Sequence, residues 1–139
     1  MTQEQKDLLL KDLCARLSYG VKVQHQHQDY LNEVQTIEKI SKKYGEIETE
    51  SVLGFVDDFK PYLFPLSSMT EEQEEELKNI YYSFNGMFQY AERIFDKIPF
   101  SKMKYFPYQI EEFFNKNHFD YRGLIPMSLA IDATNLNIY

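Results

Sequence analysis

The spacing of apolar positions changes along this chain, and the changes divide it into segments. Over residues 3–18, Leu9, Leu10, Leu13, Cys14 and Leu17 recur at helical spacing, while Lys6, Asp7, Lys11, Asp12 and Arg16 fall largely on the other side. Thr2 stands where an N-cap belongs and Gly20 lies just past the end, so the pattern predicts an amphipathic helix closed at both ends. From Gly20 the period becomes two. Val21, Val23 and His25 alternate with Lys22, Gln24 and Gln26, which is strand periodicity. Asp29 and Asn32 bracket a turn. Val34, Thr36 and Ile40 predict a second extended segment, residues 42–45 a loop, and Ile47, Thr49 and Val52 a third strand. Between residues 33 and 44 the string EVQTIEKISKK also satisfies helical spacing, so that strand competes with a helix. The favoured reading is a meander of three or four antiparallel strands, curled in the manner of an SH3-type barrel.

The stretch DDFKPYLFPLSSMT, residues 57–70, reads as a hinge. Pro61 and Pro65 fix φ, remove backbone donors and push the residues before them toward extended geometry. It is expected to cross the surface of the sheet with Tyr62, Leu63, Phe64 and Leu66 tucked inward. Ser68 with Glu71, or Thr70 with Gln73, then makes a capping box for the next helix. The acidic run Glu71, Glu72, Glu74, Glu75 and Glu76 lies where a helix dipole favours negative charge, so it reads as a solvated helix start. Beyond it two readings compete. Leu77, Ile80, Tyr81, Phe84, Met87, Phe88, Ala91, Ile94 and Phe95 fit a helix, yet Asn85-Gly86 between two aromatic runs is a hairpin signal. A helix is expected through about residue 83, with 84–98 open to either form. Pro99 and Pro107 punctuate a loop, residues 108–117 predict a short helix with Ile110, Phe113 and Phe114 inward, and Arg122-Gly123 marks a turn before a break at Pro126.

The expected class is therefore α+β: an N-terminal helix, a small antiparallel sheet and a helical C-terminal part. The 139 residues are read as one domain, with a helix-plus-sheet part over 1–66 and a mainly helical part over 67–139. Composition supports a packed core, because 43% of residues are hydrophobic and 11 Tyr and 11 Phe supply bulk. A formal charge of -7 with scattered Lys and Arg argues against nucleic acid as a partner. No apolar run approaches the ~20 residues of a membrane span, and the first residues lack a signal-peptide core, so a cytoplasmic location and no membrane partner are expected. The single cysteine, Cys14, makes no internal disulfide and on the helix stripe reads as a buried, inert thiol.

Two groups carry candidate chemistry. His25 and His27 form an H-x-H pair, and positions i and i+2 of a strand share a face, so two imidazoles could share a metal, with His118 or Asp120 as a third ligand. The surrounding QHQHQD string reads instead as an exposed polar strand, and no metal or other cofactor is assigned. His118, Asp120, Tyr121 and Arg122 cluster in HFDYRG, where histidine, carboxylate and guanidinium in one turn make a candidate acid/base or anion-binding corner. The competing reading is structural: Asp120 caps backbone and pairs with Arg122 while Phe119 and Tyr121 anchor the core. No catalytic residue is assigned. G-x-S-x-G is absent, and the five glycines are too dispersed for a phosphate loop. The leading expectation is a protein-interaction surface built from some of the many aromatics. The alternative is a small enzyme or ligand-binding protein using the corner at 118–122. A DNA-mimicking acidic protein is a weaker option, because the acidic run at 71–76 is short.

Three segments also resemble known strings. MTQEQKDLLLKDLCARLSYGVKV, FKPYLFPLSSMTEEQ and NKNHFDYRGLIPMSLAIDAT are similar to blocks in small uncharacterised proteins of gut anaerobic bacteria and their phages or mobile elements. The blocks cover roughly half the chain. The resemblance implies a phage or mobile-element setting, with no assigned activity and no catalytic residues.

Overall fold

A computed structural model describes residues 1–82 and 108–139, apart from the side chains of residues 81 and 82. The helix-or-hairpin question at 84–98, and the prolines Pro99 and Pro107, lie outside the described residues.

The architecture is α+β. Helix α1 (Gln3–Arg16) leads into a meander of β1 (Lys22–His25), β2 (Gln35–Ser41), β3 (Glu46–Thr49) and β4 (Leu53–Phe55). A 3₁₀ turn over Val56–Asp58 turns the chain into β5 (Phe59–Leu63), which returns to pair with β1. Helices α2 (Glu71–Tyr82) and α3 (Tyr108–Lys116) follow, and a short β6 (Ile131–Asp132) closes the described chain. The strand order is β4-β3-β2-β1-β5-β6, antiparallel except for the β5–β6 pair. Among the described residues no helix is long and apolar enough to cross a membrane.

The helix ends follow their capping chemistry. Thr2 and Gln5 form a reciprocal capping box at α1, and Gly20 adopts a left-handed conformation (φ 67°) beyond it. Of the two boxes available to α2, Thr70 and Gln73 make the bonds: the Gln73 amide donates to Thr70 Oγ1 and the Thr70 amide to Gln73 Oε1. Ser68 instead donates its hydroxyl to the Pro65 carbonyl.

Strand β2 resolves the ambiguity at residues 33–44. Ile37 opposes Thr49 and Lys39 opposes Glu48, so Glu38 is an extra residue in a bulge. The bulge puts Ile37 and Ile40 on the core side three residues apart, which imitates a helix in the sequence. Val34 is exposed, and Gln35 is buried with its Oε1 accepting the Thr49 hydroxyl at 2.6 Å.

Residues 59–63 are the clearest correction to the hinge reading, for they form a strand inside the sheet. Pro61 is buried opposite Val23. The strand tolerates it because β6 pairs only from Tyr62, so at Pro61 one side of β5 is still an edge that asks for no donor. From the helical part the tail crosses back and adds β6 to the sheet.

Two apolar clusters result. One joins Leu9 and Leu13 of α1 to Val21, Val23, Ile37, Ile47, Phe59 and Leu63 of the sheet and to Leu124 and Leu129 of the tail. The other joins Leu77 to Ile110, Phe113, Phe114, Phe119 and Tyr121, with Phe64, Leu66 and Met69 packed on it.

Candidate functional site

The corner at 118–122 is built by the way α3 ends. The Phe119 amide donates to the Phe114 carbonyl and the His118 amide to the Asn115 carbonyl, the paired bonds of a Schellman termination. His118 therefore occupies the left-handed position (φ 58°) that glycine usually takes. Phe119 stacks back on Phe113 at 6.2 Å, the hydrophobic contact that accompanies such an ending.

That geometry sends the four candidate side chains to different tasks. The imidazole of His118 is buried face to face beneath the ring of Tyr139, with centroids 3.7 Å apart. Burial, aided by the positive charges of Arg16 and Lys22, drives its pKa down to about 4, so it is neutral at pH 7. Tyr139 is held in turn: its hydroxyl accepts from the Lys22 amide at 3.0 Å and donates to the Tyr62 carbonyl at 2.9 Å. Both oxygens of Asp120 accept backbone N–H groups, from Leu124 and Ile125 at 2.8 Å each. Burial raises its pKa and these two bonds oppose the rise. Tyr121 stacks on Phe114 within the second cluster, and burial pushes its phenol up to about 12. Arg122 covers the Tyr121 ring and donates to Asp12 Oδ1 at 2.6 Å. The expected cap by Asp120 is present, but the partner of Arg122 is Asp12 of α1.

Asp12 leads to residues that the periodicity misplaced. Asp12 and Arg16 were expected on the solvent side of α1, yet both are fully buried. Arg16 donates twice to the Asp12 carboxylate, at 2.8 and 3.1 Å, and reaches the carbonyls of Phe114 at 3.3 Å and Phe119 at 2.6 Å. The buried stripe of α1 is Leu9, Asp12, Leu13 and Arg16, at i, i+3, i+4 and i+7. An acid–base pair at i, i+4 in phase with two buried leucines was the available signal. The result is a polar node of Asp12, Arg16 and Arg122 that ties α1 to the end of α3 and the tail.

The rings of the H-x-H pair stand 6.4 Å apart, edge to face, but the two differ in burial. Strand β1 ends at His25, which is buried, not exposed, and stacks edge-on against Tyr30 and Phe59. Its Nδ1 accepts the His27 amide at 3.0 Å. Its Nε2 faces Gly54, where an added Cβ would meet it at 3.3 Å and Phe59 at 2.9 Å, so β4 needs glycine there. His27 lies beyond the strand and is exposed, its Nδ1 accepting the Asp29 amide at 3.3 Å. Among the described residues no three metal-ligating side chains come together.

An open concave surface lies beside α1. A groove of about 530 Å³ separates the first half of α1 from the β2–β3 turn and is lined by Lys6, Lys42, Lys43, Tyr44 and Phe55 among others. It continues along α1 past Leu10, Lys11, Cys14 and Ala15, sharing Asp7, Leu10 and Lys42 with the first stretch. Cys14, expected buried, is half-buried in this wall, and burial raises its thiol pKa. Beside the groove, Leu53 and Phe55 alternate outward on the edge strand β4 and are 64% and 54% exposed, with Tyr44 at 62%. The edge is short and partly closed, because the Phe55 amide donates to Asp58 Oδ2 at 2.8 Å.

No family model matches the chain, and no curated protein or solved structure matches it either.

Proposed function

We propose that the chain is a protein-interaction module without a catalytic site of its own. The observation that carries the reading is the gathering of Tyr44, Leu53 and Phe55, three large apolar side chains more than half exposed, at one end of the sheet beside the groove. Aromatic and aliphatic side chains placed in this way beside a concavity are the usual anchors of protein recognition. The corner at 118–122 supports the same reading from the other side. Asp120 is spent on backbone capping and Arg122 on Asp12, so two of the three groups that an acid/base corner needs are occupied in holding the fold. A setting in a phage or mobile element rests on the resemblance of the three blocks alone. Photo-crosslinking from residue 44 or 55 in a lysate of the source cell tests the proposal. Partner adducts at these positions and none from a probe on the exposed Glu72 are expected; equal or absent adducts would count against it.

A second reading has one observation in its favour. His118 Nδ1 and Asn115 Oδ1 are buried without a hydrogen-bond partner among the described residues. A small polar ligand that displaced the Tyr139 ring would reach His118 Nδ1, which would make this corner a ligand-binding pocket. Histidine side-chain NMR during a screen of small amides and alcohols tests it; a His118 shift that saturates supports the reading, and an unmoved resonance removes it.

A further inference from the structure

We infer that the groove beside α1 takes a short acidic segment of a partner protein, bearing an apolar side chain between its carboxylates. The inference rests on the interaction-module reading and names the chemistry of the partner. Its basis is a local inversion of charge. The whole chain carries -7, yet among the described residues the groove wall presents Lys6, Lys11, Lys42 and Lys43 against Asp7 and Asp57. Lys6 and Asp57 neutralise each other across 2.7 Å. Asp7 accepts the side-chain amide of Gln3. Lys11, Lys42 and Lys43 are exposed along the rims. Screening confines each charge to about 8 Å at physiological ionic strength, so an approaching segment meets these lysines and not the acidic remainder of the surface.

Between the lysines the wall is apolar. Leu10, Cys14 and Ala15 are half-buried there, and Tyr44 and Phe55 stand at the far end. A free anion such as phosphate would have no use for this lining, whereas a peptide with one or two leucine- or phenylalanine-like residues would bury it. The run from Gln3 to Ala15 spans about 18 Å of helix, the length of five or six extended residues. The lysines then act mainly on encounter rate and orientation, and the apolar contact on residence time.

Selection of a displayed random 12-residue peptide library on the full chain tests this. Enrichment of Asp and Glu around a Leu, Ile or Phe is expected. A synthetic peptide from the selection should bind at least tenfold more weakly to a Lys11→Glu, Lys42→Glu, Lys43→Glu variant, and to wild type in 0.5 M rather than 0.05 M salt. Leu10→Ala should weaken binding about tenfold with the salt dependence kept. Circular dichroism and thermal melting should show the variants folded as wild type. Selected peptides with no acidic bias, or peptides that bind the charge-reversed variant equally well, would overturn the inference. In the second case the crosslinks from residues 44 and 55 still judge the interaction reading separately. Binding of phosphate or a nucleotide at the groove with no peptide selected would also overturn it.

Discussion

Helix α1 presents charge on two faces under opposite conditions. On one, Asp12 and Arg16 are sealed from water, and every oxygen and most donors are engaged: two bonds within the pair, one from Arg122, two to carbonyls of the α3 terminus. On the other, Lys11 stands in water beside Lys42, with Lys43 farther along the groove. Buried charge is tolerable only when its hydrogen bonds are complete, so the first face is committed to one arrangement of the tail. Exposed lysines contribute little to folding and remain available for another molecule. The comparison separates residues that hold this protein together from residues free to recognise something.

The sharpest way to break it is Asp12→Ala. Two guanidinium groups would be left without their carboxylate, at a cost of roughly 3–5 kcal/mol. Urea denaturation measures this, and a loss below about 1 kcal/mol would mean that the node is not what joins α1 to the tail. Next is His118. Its folded-state pKa of about 4 lies below the ordinary 6.5, so the unfolded chain takes up the proton first. Stability contributed by the neutral imidazole is complete above pH 6.5 and falls as the pH drops to about 4, by roughly 3 kcal/mol. Asp120, with a raised pKa, opposes this in the acid range, so the difference between wild type and His118→Phe isolates the histidine. Parallel pH profiles for the two proteins would refute the assignment. A smaller effect is expected for Tyr139→Phe, which keeps the stack on His118 but removes the hydroxyl between Lys22 and Tyr62. About 1–2 kcal/mol should be lost, with faster hydrogen exchange at the Lys22 amide. Smallest of all, Lys42→Glu with Lys43→Glu should change stability by no more than about 0.5 kcal/mol. A larger loss would show that these lysines belong to the fold and would blur the contrast between the faces.

Much of the local structure was legible in the chain. The ends of α1, the start of α2, the turn at Gly45 and the inward face of α3 follow from caps, glycine and apolar spacing that act within a few residues. What misled was the same in each case: a long-range partner altered the meaning of a local pattern. The bulge at Glu38 shifted the strand period, pairing with β1 made a strand of the Pro61 segment, and the end of α3 drew Asp12 and Arg16 inward. The HFDYRG string was legible as a turn with an aspartate cap. The choice of Asp12 over Asp120 as the partner of Arg122 was not, because the two residues stand 110 positions apart.

By itself, then, the sequence determined the class of the protein, most of its elements and their caps, since these depend on interactions between near neighbours. The tertiary structure alone decided which charges are buried and which are free. That choice depends on desolvation by distant segments: α3 and the tail exclude water from Asp12 and Arg16, while nothing among the described residues covers Lys11, Lys42 and Lys43.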